Sequence, residues 1–189
     1  MRVRAHRRWP ALLVCLAFLT SAAEAGDRAP FREYVVKAAF LYNFSKFVDW
    51  PPTAFDRDDS PFVIAVLGDD PFGAALESLQ TRTVKGHPVV VRRMRRLPEG
   101  DVIHTLFISD SETDRLPQTL SSLADRPILT VSEADRFVEG GGMIRMHASE
   151  GRIRFEINRG AARNAGLQIR SDLLKLAARV VDSGMEEAQ

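Results

Sequence analysis

Near the end of the chain, apolar and polar positions alternate with a period of two, twice in succession. Ile144, Met146 and Ala148 interleave with Met143, Arg145 and His147; beyond Ser149-Glu150-Gly151, Ile153, Phe155 and Ile157 interleave with Arg152, Arg154 and Glu156. Two alternating runs joined through a glycine-containing turn predict a β-hairpin with one buried face. Asn158 then stands where an N-cap belongs, predicting a short helix over residues 161–165 that Gly166 ends in a left-handed conformation. Ser171 is expected to cap a second helix with Leu173, Leu176, Ala177 and Val180 as its apolar stripe and Gly184 as its close.

At the other end the period becomes helical. Across residues 33–50, EYVVKAAFLYNFSKFVDW, Val36, Phe40, Phe44 and Phe47 form one stripe, and Val35, Ala38, Leu41, Tyr42 and Val48 widen it well beyond a single face. A helix this apolar needs cover over most of its surface: either it lies between a sheet and another helix, or part of it is an interface. Trp50-Pro51-Pro52 ends it, because a residue before proline is pushed out of the helical region. Residues 62–67, FVIAVL, show no alternation and predict a strand buried on both faces. Asp70 as N-cap with Pro71 at the first helical position predicts a helix whose inner face is Ala75, Leu76 and Leu79. Residues 84–94 read as a strand near a sheet edge, where Pro88 is tolerated. Further strands are expected at 104–109 and 127–131, and helices at 116–124 and 132–138. This order predicts an α/β fold: a single-domain αβα sandwich around a mixed, mostly parallel sheet, finished by the hairpin and the helices after it.

The formal charge of +1 misleads until the first 25 residues are set aside. Arg2, Arg4, Arg7 and Arg8 precede an apolar stretch over residues 11–20, and Ala23-Glu24-Ala25 has the small-x-small pattern of a cleavage site. The reading is a secretory signal peptide over residues 1–25, cleaved near Ala25, with residues 26–189 as one exported periplasmic domain. Ten apolar residues fall short of the about 20 that cross a bilayer. Losing four arginines and one glutamate turns +1 into −2, which removes the compositional case for nucleic acid. Cys15, the only cysteine, lies inside the apolar stretch after Val14, so neither a lipid anchor nor an internal disulfide is expected of the exported chain.

Candidate chemistry is sparse. His87, His104 and His147 have no spacing that would place two on one helical face for a metal, and no serine lies in G-x-S-x-G. Asp69-Asp70 follows a strand as a nucleotide-binding turn would, yet the dinucleotide fingerprint is absent and paired aspartates repel phosphate. No catalytic, cofactor-binding or metal-binding residue is assigned. Arg145, His147, Arg154 and Glu156 share a hairpin face and read either as cross-strand charge pairing or as the wall of a polar pocket. Arg92, Arg93, Arg95 and Arg96 read either as a solvated strand end or as a dock for an acidic partner or an anionic headgroup.

Three blocks taken together resemble the YfiR family of periplasmic regulators: EYVVKAAFLYNFSKFVDWP after the signal, the pair VIAVLGDDPFG and ILTVSEADRFVEGGGMI, and RIRFEINRGAARNAGLQIRSDLLKLA. The resemblance implies an exported, non-catalytic α/β protein. It also implies binding to the periplasmic part of an inner-membrane diguanylate cyclase of the YfiN type, repression of cyclic di-GMP and biofilm output, and release by an outer-membrane lipoprotein of the YfiB type. A homodimer is expected. For partner contact the candidates are Phe40, Phe44, Phe47 and Trp50 on the aromatic helix, then Arg92, Arg93, Arg95 and Arg96. The cysteine pairs of the well-known member have no counterpart after export, so redox control is not expected. The alternative is a small-molecule sensor domain acting on a membrane histidine kinase.

Overall fold

The run FVIAVL becomes strand β2 (Phe62–Leu67), and all six of its residues are buried. Such a strand belongs at the middle of a sheet with cover on both faces, and the computed structural model places it there. The structure describes residues 25–98 and 100–183. The expected signal peptide, apart from Ala25, and the expected closing residue Gly184 lie outside the described residues. Around β2 the chain forms α1 (Ala25–Phe47), β1 (Val48–Asp49), α2 (Ala74–Glu77), β3 (Thr83–Val84), β4 (His87–Met94), β5 (Thr105–Ile108), α3 (Leu116–Leu123), β6 (Leu129–Ser132), β7 (Ile144–Ser149), β8 (Arg152–Asn158), α4 (Arg159–Asn164), β9 (Gln168–Ile169), α5 (Ser171–Leu174) and β10 (Arg179–Val181).

Eight strands lie in the order β10-β8-β7-β6-β5-β2-β4-β3, while β1 and β9 form a separate antiparallel pair. Strands β4, β2, β5, β6 and β7 are parallel, β8 returns antiparallel to β7, and β10 runs parallel to β8. Ile64, Val66, Phe107, Val131, Met146 and Phe155 share one core with α1, α2, α4 and α5. Ala65, Leu67, Leu106 and Ile108 form a second core with Leu120 and Leu123 of α3. The expected αβα sandwich around a mostly parallel mixed sheet is therefore what forms.

The hairpin is the one read from alternation. Ser149 pairs with Arg152, leaving Glu150 (φ 51°) and Gly151 (φ 71°) as a two-residue turn with both φ values positive. That backbone matches the right-handed twist of the strands it joins. Asn158 caps α4 as expected: its side chain accepts from the Ala161 amide at 3.0 Å, and the helix starts two residues earlier than predicted, at Arg159.

Four local expectations are corrected. The inward stripe of α1 is Lys37, Ala38, Leu41, Phe44 and Ser45, rotated away from Val36, Phe40 and Phe47, and the helix stops at Phe47 so that Val48–Asp49 can pair with β9. Asp70 does not cap a helix. Its carboxylate accepts from the Phe72 amide at 2.7 Å in an Asx turn, and α2 begins only at Ala74. Residues 133–143 are turns rather than a helix: Arg136 adopts φ 56°, and Phe137 is drawn into the second core. Gly142 beside it is a packing need, since a Cβ there would lie 2.3 Å from the Phe137 ring. Finally, the second C-terminal helix is only Ser171–Leu174, with Arg170 at its N-cap, and Arg179–Val181 becomes a strand. β8 would otherwise leave an open edge, and the β-branched pair Val180-Val181 suits pairing there.

Candidate partner-docking surface

The two sets of candidate partner residues fall on different parts of the molecule. Phe44 is fully buried, 5.0 Å from Phe155 between ring centroids, and presents no surface to a partner. Phe40 is half-buried against Phe44 and Phe155, Phe47 is half-buried near Arg170, and Trp50 meets Phe62 edge-on at 5.0 Å. The aromatic stripe is thus mostly core, with Phe40 at its outer margin.

Among the arginines, Arg93 is a strut. It bonds Asp70 and Glu77 at 2.6 Å each and the Gly73 carbonyl at 3.3 Å, tying the loop after β2 to the end of β4. Arg92 reaches Asp101 at 3.4 Å, and Arg95, with its side chain 89% exposed, lies 3.8 Å from Asp69. Arg96 is exposed. Five strand spacings of about 4.8 Å separate β4 from β8, so these arginines and the Phe40–Phe155 contact do not form one surface.

In a doubly wound sheet the usual ligand position is the crevice at the strand carboxyl ends where the order reverses, here between β2 and β5. A space of about 290 Å³ exists there, lined by Tyr34, Asp69, Asp70, Ser109, Ser111 and Glu133. Two of its acids, Asp70 and Glu133, are engaged internally, and Asp110 also lines it. Asp70 holds Arg93, and Glu133 holds both the buried Lys37 and the Tyr34 hydroxyl, the latter at 3.1 Å. Lys37 also pairs with Glu33 at 2.5 Å and lies 4.4 Å from the Tyr34 ring centre. Burial and then the Glu133 charge push the Tyr34 hydroxyl above its ordinary range, so it stays a donor. Sequence reading missed Lys37 because a lysine between Val36 and Ala38 reads as the polar break in a stripe. The wall is anionic, which argues against phosphate.

The polar hairpin face is a charge ladder. Arg145 stands opposite Glu156 at 3.7 Å and also meets Asp135, while Arg179 from β10 bonds both Glu156 and Glu139. The Arg179 guanidinium holds the Glu139 carboxyl below its ordinary value. His147 stands opposite Arg154. Cross-strand pairing accounts for Arg145 and Glu156. Among the described residues no group of three or more His, Cys, Asp or Glu side chains is placed to hold a metal ion, and no helix is long and apolar enough to cross a membrane.

What remains is an apolar margin. Val35 and Val36 on α1 are 44% and 45% exposed, Leu176 is 69% exposed and Val180 is 40% exposed. Val36 lies one turn before Phe40, and Phe40 packs on Phe155. The Phe155 carbonyl accepts from the Ala178 amide at 2.8 Å, which brings the 176–180 segment alongside the same sheet edge. The excess width of the α1 apolar arc was the sequence signal for this surface; the part played by Leu176 and Val180 had none, because a helix was expected there.

Comparison with curated proteins finds no match. A family model described as YfiR/HmsC-like matches residues 34–178, which is 145 of the 189 residues. That span runs from Tyr34 on α1 to the residue before β10 and includes the three blocks on which the resemblance rested, apart from Glu33 at the start of the first. By this match the chain belongs to the YfiR/HmsC-like family, which supports a periplasmic regulator of diguanylate cyclase as its general class and regulation rather than catalysis as its work.

Proposed function

We propose that residues 1–25 are a cleaved export signal and that residues 26–189 bind the periplasmic part of an inner-membrane diguanylate cyclase of the YfiN type and hold it inactive. Cyclic di-GMP, biofilm and exopolysaccharide output fall as a result. An outer-membrane lipoprotein of the YfiB type relieves the inhibition, and the protein works as a homodimer. The observation that carries the reading is the contrast between two surfaces. The crevice where an α/β enzyme would bind its substrate is walled by carboxylates, of which Asp70 and Glu133 are engaged with the chain's own cations, while Val35, Val36, Leu176 and Val180 leave apolar area in water. Exposed apolar area of this kind is what a protein partner covers. Arg95 and Arg96 form a separate, secondary contact.

Deleting the gene is expected to raise cyclic di-GMP only while the cyclase gene is intact; unchanged cyclic di-GMP in the deletion strain would reject the proposal. A second reading, a small-molecule sensor for a membrane kinase, draws on a cleft of about 280 Å³ whose lining includes Leu120, Met143, Ala161 and Asn164. A thermal-shift screen separates the two, since a ligand at about 100 times its dissociation constant adds about 2.7 kcal/mol of stability.

A further inference from the structure

The loop of residues 51–61 crosses the amino end of the sheet, and two histidines hold it, His87 at the start of β4 and His104 just before β5. Phe55 of the loop lies between them, its ring centre 4.1 Å from that of His87 at 11° and 4.4 Å from that of His104 at 24°. Each histidine also bonds a loop carbonyl. His104 Nε2 lies 3.0 Å from the Ala54 oxygen and His87 Nδ1 lies 2.7 Å from the Ser60 oxygen, and since a carbonyl only accepts, both ring nitrogens carry the proton. The other nitrogen of His104 is committed in the opposite sense. Its Nδ1 accepts from the buried Val63 amide at 3.0 Å, so His104 must be neutral in this arrangement. A proton on Nδ1 would set N–H against N–H at the first turn of the β2–β5 ladder and leave the Val63 amide unsatisfied. His87 faces no such conflict, because protonation keeps its bond to Ser60.

We infer that the His87–Phe55–His104 sandwich is an acid-released clasp: protonation of His104 breaks its bond from Val63 and frees the 51–61 loop from the amino end of the sheet while the sheet itself stays folded. The charged groups facing His104 are few. Asp56 in the loop favours its protonation and His87 across Phe55 opposes it, while Trp50 and Phe62, which also pack against the ring, are uncharged. Burial is the largest influence and lowers the His104 pKa from 6.5 to about 4, so the clasp is shut at neutral pH and yields in acid. Opening would uncover Phe62 and the edge of Trp50, changing the apolar surface next to the β1–β9 pair.

The test follows hydrogen exchange of the loop amides, together with Trp50 emission, in the chain carrying Trp9→Phe, which leaves Trp50 as the only tryptophan. Between pH 7 and pH 4.5, loop protection, corrected for intrinsic exchange, is expected to fall on the order of fiftyfold by proton linkage. Core amides of β5 and of β2 beyond Val63 should hold, and Trp50 emission should shift to the red. In His104→Asn, whose amide oxygen can still accept from Val63 but cannot titrate over this range, the loop change should vanish. Following the His104 ring signal by NMR in the chain with native His104 keeps the test decisive if that variant does not fold: the ring must titrate in step with loop release. Loop protection independent of pH, an equal change in His104→Asn, His104 titrating without loop release, or simultaneous loss of loop and core protection would each overturn the clasp.

Discussion

Asn158 offers the sharpest test of how the C-terminal half is held together. It is fully buried at the end of β8 and makes three side-chain hydrogen bonds: it accepts from the Ala161 amide at 3.0 Å, donates to the Val138 carbonyl at 2.8 Å and donates to the Ser183 hydroxyl at 3.2 Å. Asn158→Ala removes the α4 cap, worth about 1 kcal/mol, and strands the Val138 carbonyl, at about 1–3 kcal/mol. The expected loss is about 3 kcal/mol, or roughly 6–12 °C in Tm for a chain of this size. Asn158→Asp is more diagnostic. It keeps the cap acceptor and the shape but sets a carboxylate oxygen against the Val138 carbonyl inside the protein, so its folded-state pKa is raised above the unfolded value. Stability is then retained below the unfolded carboxylate pKa, near 4, where the protonated acid can donate as the amide did, and is lost as the pH rises through the folded pKa. Urea unfolding of the native chain and both variants at pH 4 and pH 7.5 reads this directly, because other titrating groups cancel in the differences at each pH. If Asn158→Asp falls no further below the native chain at pH 7.5 than at pH 4, or if Asn158→Ala costs under about 1 kcal/mol, the three-bond account of Asn158 is wrong.

Other substitutions probe separate points. Gly142→Ala must displace the fully buried Phe137 ring, 2.3 Å from the new Cβ, and should cost about 1–3 kcal/mol in urea unfolding. Val36→Asp with Val180→Asp should leave unfolding within about 0.5 kcal/mol per site yet abolish repression of the cyclase; repression at native levels would remove the apolar margin from the interface. Phe44→Ala, in contrast, should lose about 3–5 kcal/mol and lose repression only through unfolding. For His104 the folded pKa of about 4 lies below the unfolded 6.5, so its contribution to global stability is whole above pH 6.5 and falls as the pH drops toward 4. The stability advantage of the native chain over His104→Asn should therefore shrink by up to about 3 kcal/mol across that window; a constant difference would contradict the burial of a neutral ring.

Local pattern by itself determined the hairpin from 143 to 158, the buried strand FVIAVL, the Asn158 cap and the α/β class, because each depends on side chains within a few residues of one another and on periods of 2 or 3.6. The absence of a nucleophile motif and of metal-ligand spacing was equally legible. Only the tertiary structure decided which face of α1 turns inward, since its apolar arc exceeded one stripe and the choice fell to the sheet: Ser45 bonds Thr105 at 2.9 Å and Lys37 finds Glu133, 96 residues away. It likewise turned Arg179–Val181 from an expected helix into a strand, because the unpaired edge of β8 is a demand made by the assembled sheet and by nothing nearby in sequence. The docking margin and the histidine clasp share that origin. His87, Phe55 and His104 become neighbours only when strands distant in sequence are set side by side and the 51–61 loop is laid across their ends, and a pattern of local periods carries no record of that pairing.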